Sequence, residues 1–152
     1  MQEKRKSEAD HITAARQELL RACLPHVVFD GWTDAALAAA HADCKLDPSL
    51  AHAACPRGAI ALAVAFHKAG DDLMLEAYKK EAIENLRIRD KVQLAIKLRL
   101  EGMARDRDAV RKAAALFALP HNAAEGAQLI WGTADAVWAC LGDETTDVNW
   151  YT

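Results

Sequence analysis

The chain has 152 residues, 52% of them hydrophobic, with four prolines, seven glycines and a net charge of −3. That length suits one domain with a proper core, spanning residues 1–152, and a composition this poor in proline and glycine favours helices. The charge offers no global attraction to nucleic acid, and the longest apolar run, Ala59–Phe66, is far too short to span a bilayer.

Residues 1–10 mix Lys4, Arg5 and Lys6 with Glu3, Glu8 and Asp10, whereas organelle transit peptides avoid acids, so no targeting segment is expected. Four scattered cysteines without a secretion signal suggest reduced thiols.

Along the chain, Ile12, Ala15, Leu19, Ala22 and Cys23 recur at helical spacing and predict a first helix over 8–23, disturbed by Pro25. Phe29-Asp30-Gly31-Trp32 reads as a turn, and Thr33 as the cap of an alanine-rich second helix ending near Cys44. Asp47-Pro48 opens a short third helix. Pro56 opens a fourth, which Gly70 should stop, and a fifth should run from Asp71 to about Leu86. The sixth, over 87–104, is apolar on two sides: Ile88, Val92, Ile96 and Met103 on one, Leu94 and Leu98 on the other. A helix of that kind packs between other helices. A seventh is expected over 107–119 and an eighth from Asn122 or Ala123 to Leu141, with Ala127, Trp131, Ala134, Trp138 and Leu141 on a stripe that suits helix-on-helix packing. No alternating strand pattern appears, so the expected class is all-α.

The two apolar sides of the sixth helix exceed what one packing partner requires. An apolar cavity is therefore expected between the sixth, seventh and eighth helices, lined by Leu94, Leu98, Leu116, Phe117 and Ile130; a close-packed core is the competing reading. Arg99 falls amid the apolar face of the sixth helix and must be paired. The favoured partner is a carboxylate such as Asp135; the other reading is a charge that orients a ligand headgroup.

Residues 29–58 have the layout of a helix-turn-helix, but the candidate reading helix, P-S-L-A-H-A-A-C, has no basic residue. Without the phosphate-neutralising charge, DNA binding loses to a helix-turn-helix kept as scaffold. His41-x-x-Cys44 and His52-x-x-Cys55 could supply four zinc ligands by spacing alone, yet small alanine helices often bury cysteine, and no metal is expected. Asp135, Asp143 and Glu144 have no histidine near them in sequence, and neither a nucleophile elbow nor a phosphate loop is present. No catalytic residue is assigned.

The last stretch, D-A-V-W-A-C-L-G-D-E-T-T-D-V-N-W-Y-T, places a helix stop at Gly142 and a new cap at Thr145 or Thr146. It carries no Lys or Arg, and its aromatic residues lie among acids, the make-up of an interface anchor within a polar rim. Asp135, Trp138, Asp143, Asp147, Asn149, Trp150 and Tyr151 are the candidate partner-binding residues, against the alternative that Trp150 packs into the core.

This stretch resembles the D-x-x-W-x-x-x-G-D-x-S/T-x-D-F-N-W/Y-Y-T signature of the coenzyme Q biosynthesis accessory family, with Val148 in place of the phenylalanine. The likeness extends to Phe29-Asp30-Gly31-Trp32-Thr33, Cys55-Pro56-Arg57-Gly58, Leu86-Arg87-Ile88-Arg89-Asp90-Lys91-Val92 and Ala118-Leu119-Pro120-His121-Asn122. The resemblance implies a TetR-like homodimer that no longer binds DNA, with a degenerate helix-turn-helix over 8–58 and a ligand and dimer part over 59–152. It implies a non-catalytic protein without cofactor that holds an isoprenoid lipid, a phospholipid or a quinone intermediate and docks on the demethoxyubiquinone hydroxylase. The alternative on the same fold is a TetR-type, ligand-responsive transcription regulator. The family continues past N-W-Y-T with the rest of a ninth helix and an amphipathic tenth that docks on membranes. On this reading the chain lacks those helices and membrane docking is not expected; its place is the bacterial cytoplasm, at most beside the inner membrane.

Overall fold

The structure, a computed structural model, describes the backbone of residues 2–142 and the side chains of residues 6–142. The described residues are all-α: α1 (Gln2–Asp30), α2 (Asp34–Cys44), α3 (Pro48–Ala54), α4 (Ala59–Tyr78), α5 (Ile88–Gly102), α6 (Arg107–Ala118) and α7 (Ala123–Cys140), with a single 3-10 turn at Ala104–Asp106. No single helix among them is long and apolar enough to cross a membrane.

α1 runs straight through Pro25, where the sequence predicts a disturbance. A proline withholds its N–H from the carbonyl four residues back. Here that residue is Arg21, and both Arg21 and Pro25 are exposed, so water can satisfy the orphaned oxygen. Meanwhile Leu19, Leu20, Cys23 and Val27 carry the buried stripe past the break. The caps of the next two helices follow the sequence. Thr33 Oγ1 accepts from Ala36 N–H at 3.3 Å, and Asp47 accepts from Ser49 and Leu50. α2 and α3 lean on α1, where Arg16 Nε donates to the Ala54 carbonyl at 2.7 Å.

Two predicted helices turn out to be one. α4 starts at Ala59, not at Pro56, because Gly58 makes the corner at φ 69°, a backbone that L side chains resist. A Cβ there would also stand 2.7 Å from Asp34 Oδ1. Gly70 does not stop the helix. The buried stripe Leu62, Ala63, Phe66, Gly70, Met74, Tyr78 passes through it at helical spacing, and burial outweighs glycine's cost of about 1 kcal/mol. The helix ends at Tyr78, short of Leu86, where the stripe gives way to Lys79, Lys80 and Glu81.

The larger core cluster joins α1–α4 with α6; Trp32 stacks on Phe66 with ring centroids 5.2 Å apart and donates from Nε1 to the Ala109 carbonyl at 3.1 Å. The smaller one is Met74, Tyr78 and Ala95, with Leu94, Leu98, Val137 and Cys140 against it. α4 passes through both clusters. α7 closes on Gly142 at φ 76°, as its sequence suggests. The helix expected to start at Thr145 or Thr146 lies outside the described residues.

Candidate functional site

α4, α5, α6 and α7 surround a hollow of about 460 Å³. Its wall is almost wholly apolar, with Phe66 from α4, Met103 below α5, Val110, Ala113 and Phe117 from α6, and Gly126, Leu129 and Ile130 from α7. Two close approaches shape it. A Cβ on Gly126 would lie 2.9 Å from Phe117 Cβ, so that glycine lets α6 and α7 nearly touch. A Cβ on Gly70 would lie 3.4 Å from Arg99 Cζ, so the glycine leaves room for the guanidinium.

Among the described residues, two polar side chains line this hollow, His67 and Arg99. They belong to a cluster that ties three helices. Arg99 Nε donates to Asp71 Oδ1 at 2.6 Å, and Arg99 Nη2 donates to the His67 carbonyl at 3.2 Å. From α7, Thr133 Oγ1 donates to Asp71 Oδ1 at 2.9 Å and stands 2.9 Å from His67 Nε2. The carboxylate is the strongest acceptor in reach of that hydroxyl and takes its proton, and Arg99 Nη2 stands 3.3 Å from the same His67 Nε2. Burial, and then the Arg99 charge, pull the His67 pKa below its ordinary value and keep the ring neutral. The side chains of Arg99 and Asp71 are 17% and 14% exposed, so this is a pair largely removed from water.

A second hollow, about 510 Å³, adjoins the cluster, walled by Val92, Ile96, Thr133, Ala134, Val137 and Trp138. It shares His67, Arg99 and Ile130 with the first. The cluster therefore borders both apolar spaces.

Of the five residues expected to line a cavity, Phe117 and Ile130 do so. Leu94 and Leu98 pack on the Met74 cluster, and Leu116 on the larger core. Arg99 is paired as its position demanded, but its carboxylate is Asp71; Asp135 is exposed on α7. The sequence reading missed His67, Asp71 and Thr133. Their signal was a histidine and an aspartate one turn apart, just after the apolar run 59–66 and flanking a glycine that did not end the helix. Of the candidate partner-binding residues, Trp138 is half-buried at the second hollow, and Asp143, Asp147, Asn149, Trp150 and Tyr151 lie outside the described residues.

Among the described residues no three of His, Cys, Asp and Glu gather as a metal site. His41 Nε2 is engaged by the Leu46 carbonyl at 3.0 Å, Cys55 is buried, and burial raises the pKa of both Cys44 and Cys55. Cys23 is pushed up to about 11 for the same reason.

A family model described as COQ9 matches residues 123–152. Over 140 residues the chain is 28% identical to the "Probable ubiquinone biosynthesis protein coq9, mitochondrial" of Dictyostelium discoideum, an alignment covering 88% of this chain and 46% of that protein. The two matches support the COQ9 family. The chain spans about half the length of the curated relative it matches. The COQ9 model begins at Ala123, the first residue of α7, so its match takes in the helix that supplies Gly126, Leu129, Ile130 and Thr133 to the two hollows.

Proposed function

We propose that this chain is a non-catalytic, lipid-binding accessory protein of ubiquinone biosynthesis, which holds an isoprenoid lipid or quinone intermediate and presents it to the demethoxyubiquinone hydroxylase. The observation that carries the reading is the hollow of about 460 Å³ walled by α4, α5, α6 and α7, apolar but for His67 and Arg99. Ligand pockets are of this size and make-up, with a few polar groups fixing orientation in an apolar wall. The likeness to the COQ9 protein of Dictyostelium discoideum supports the pathway. The hydroxylase would dock on the terminal acidic and aromatic stretch, Asp135 to Tyr151, which lies within the family match and carries no basic residue.

The test is mass spectrometry of lipids extracted from the purified protein and from Ala114→Trp, which adds bulk to the wall of the hollow from α6. An isoprenoid lipid should come off the wild type and fall several-fold in the variant, with the helical circular dichroism of both proteins alike. Equal lipid from both, or none from either, would overturn the reading.

A further inference from the structure

Arg99 does more than close an ion pair. Its Nε is taken by Asp71 and its Nη2 by the His67 carbonyl, but Nη1 has no partner among the described residues. Arg99 lines both hollows, and among the described residues it is the only charged side chain in the wall of the first. A guanidinium carries five N–H donors, and donors left over at the edge of an apolar space are where an acceptor on a ligand is held. The α4 backbone passes close to this group at Gly70, where a Cβ would lie 3.1 Å from Met103 Sδ and 3.4 Å from Arg99 Cζ.

The charge balance selects among acceptors. The positive charge of Arg99 is already met by Asp71 at 2.6 Å, and His67 is held neutral beside them. A carboxylate or phosphate entering this space would lose its water and meet a cluster with no net positive charge, next to an aspartate that repels it. A ketone, ester or ether oxygen loses far less water and still accepts from Nη1. We propose that Arg99, held in place by Asp71, His67 and Thr133, anchors the head of an amphipathic ligand, and that the site takes a neutral head with hydrogen-bond-accepting oxygens in preference to an anionic one. The inference rests on the reading of the hollow as a lipid site.

The test compares two ten-carbon probes, methyl octyl ketone and decanoic acid, by isothermal titration calorimetry at pH 8 against the full chain. It uses the wild type and the double variant Asp71→Leu, Arg99→Met. Removing both charges together leaves neither one buried alone, so the fold should survive, as circular dichroism would check. The wild type should bind the ketone roughly tenfold more tightly than the acid, and the double variant should lose roughly tenfold for the ketone, the worth of one hydrogen bond from a charged donor. Ketone binding that is equal in the two proteins would overturn the anchor and leave the lipid reading standing. Tighter binding of the acid by the wild type would overturn the choice of a neutral head. If the wild type binds neither probe, the anchor and the lipid reading fall together.

Discussion

His67 couples the site to pH. Its folded pKa is lowered, first by burial and then by the Arg99 charge, with Asp71 pulling the other way. Below its ordinary value of 6.5 the unfolded chain takes up a proton that the folded chain refuses, so stability is full above that pH. It is lost as the pH falls from 6.5 through the lowered folded value. In urea titrations across this range, His67→Gln should flatten the fall of unfolding free energy with pH, and the difference between the two slopes belongs to His67. Equal slopes would mean that His67 takes up its proton as readily in the folded chain as in the unfolded one, so that burial and Arg99 do not hold it neutral. This cluster was half legible in the sequence. Arg99 announced itself as a cation on an apolar face, but its neighbours are set by how α4, α5 and α7 come together, and no spacing along one helix encodes that.

At the scale of the helix, caps were read more reliably than stops. Thr33 and Asp47 act within their own turn, so local chemistry decides them. Pro25 and Gly70 were read as breaks, but each sits where the tertiary contacts of its helix outweigh the local penalty. α7 offers two glycines with opposite roles. A Cβ on Gly126 would meet Phe117 Cβ at 2.9 Å and the Phe117 carbonyl oxygen at 3.0 Å, so Gly126→Ala must push α6 away. Overpacking of that kind costs about 1–3 kcal/mol, more than the roughly 1 kcal/mol that alanine gains over glycine in a helix. Gly132 has nothing within 4 Å among the described residues, so Gly132→Ala keeps the gain. Thermal melts should show Gly126→Ala below the wild type and Gly132→Ala above it. The same direction of shift for both would mean that the α6–α7 contact is not what holds Gly126.

Across the whole molecule, the sequence placed the all-α class and most helix positions correctly, because periodicity is a property of single segments. It placed a cavity beside the sixth predicted helix for the same reason, yet assigned Leu94 and Leu98 to its lining when they pack on Met74. Which side of a doubly apolar helix meets a void depends on its neighbours. The outer face of α7 raises the same question for a second copy of the chain. Ile130 and Trp131 are 69% and 56% exposed, and Ala127 and Ala134 are exposed as well, with Ala127, Ile130 and Ala134 at the rims of the hollows. Large and small apolar residues alternating on an outward helix face are suited to packing against another helix, and a two-fold pair of α7 helices would cover the same patch on both copies. Sedimentation equilibrium at micromolar concentration should give twice the 16.6 kDa mass of the chain. Trp131→Glu would place two carboxylates near the axis of such a pair, and circular dichroism would check that the helical fold persists. That variant should sediment as a monomer, with affinity for its own copy reduced at least roughly tenfold. A wild type that is monomeric at these concentrations, or a variant that remains dimeric, would assign the exposed face of α7 some other role.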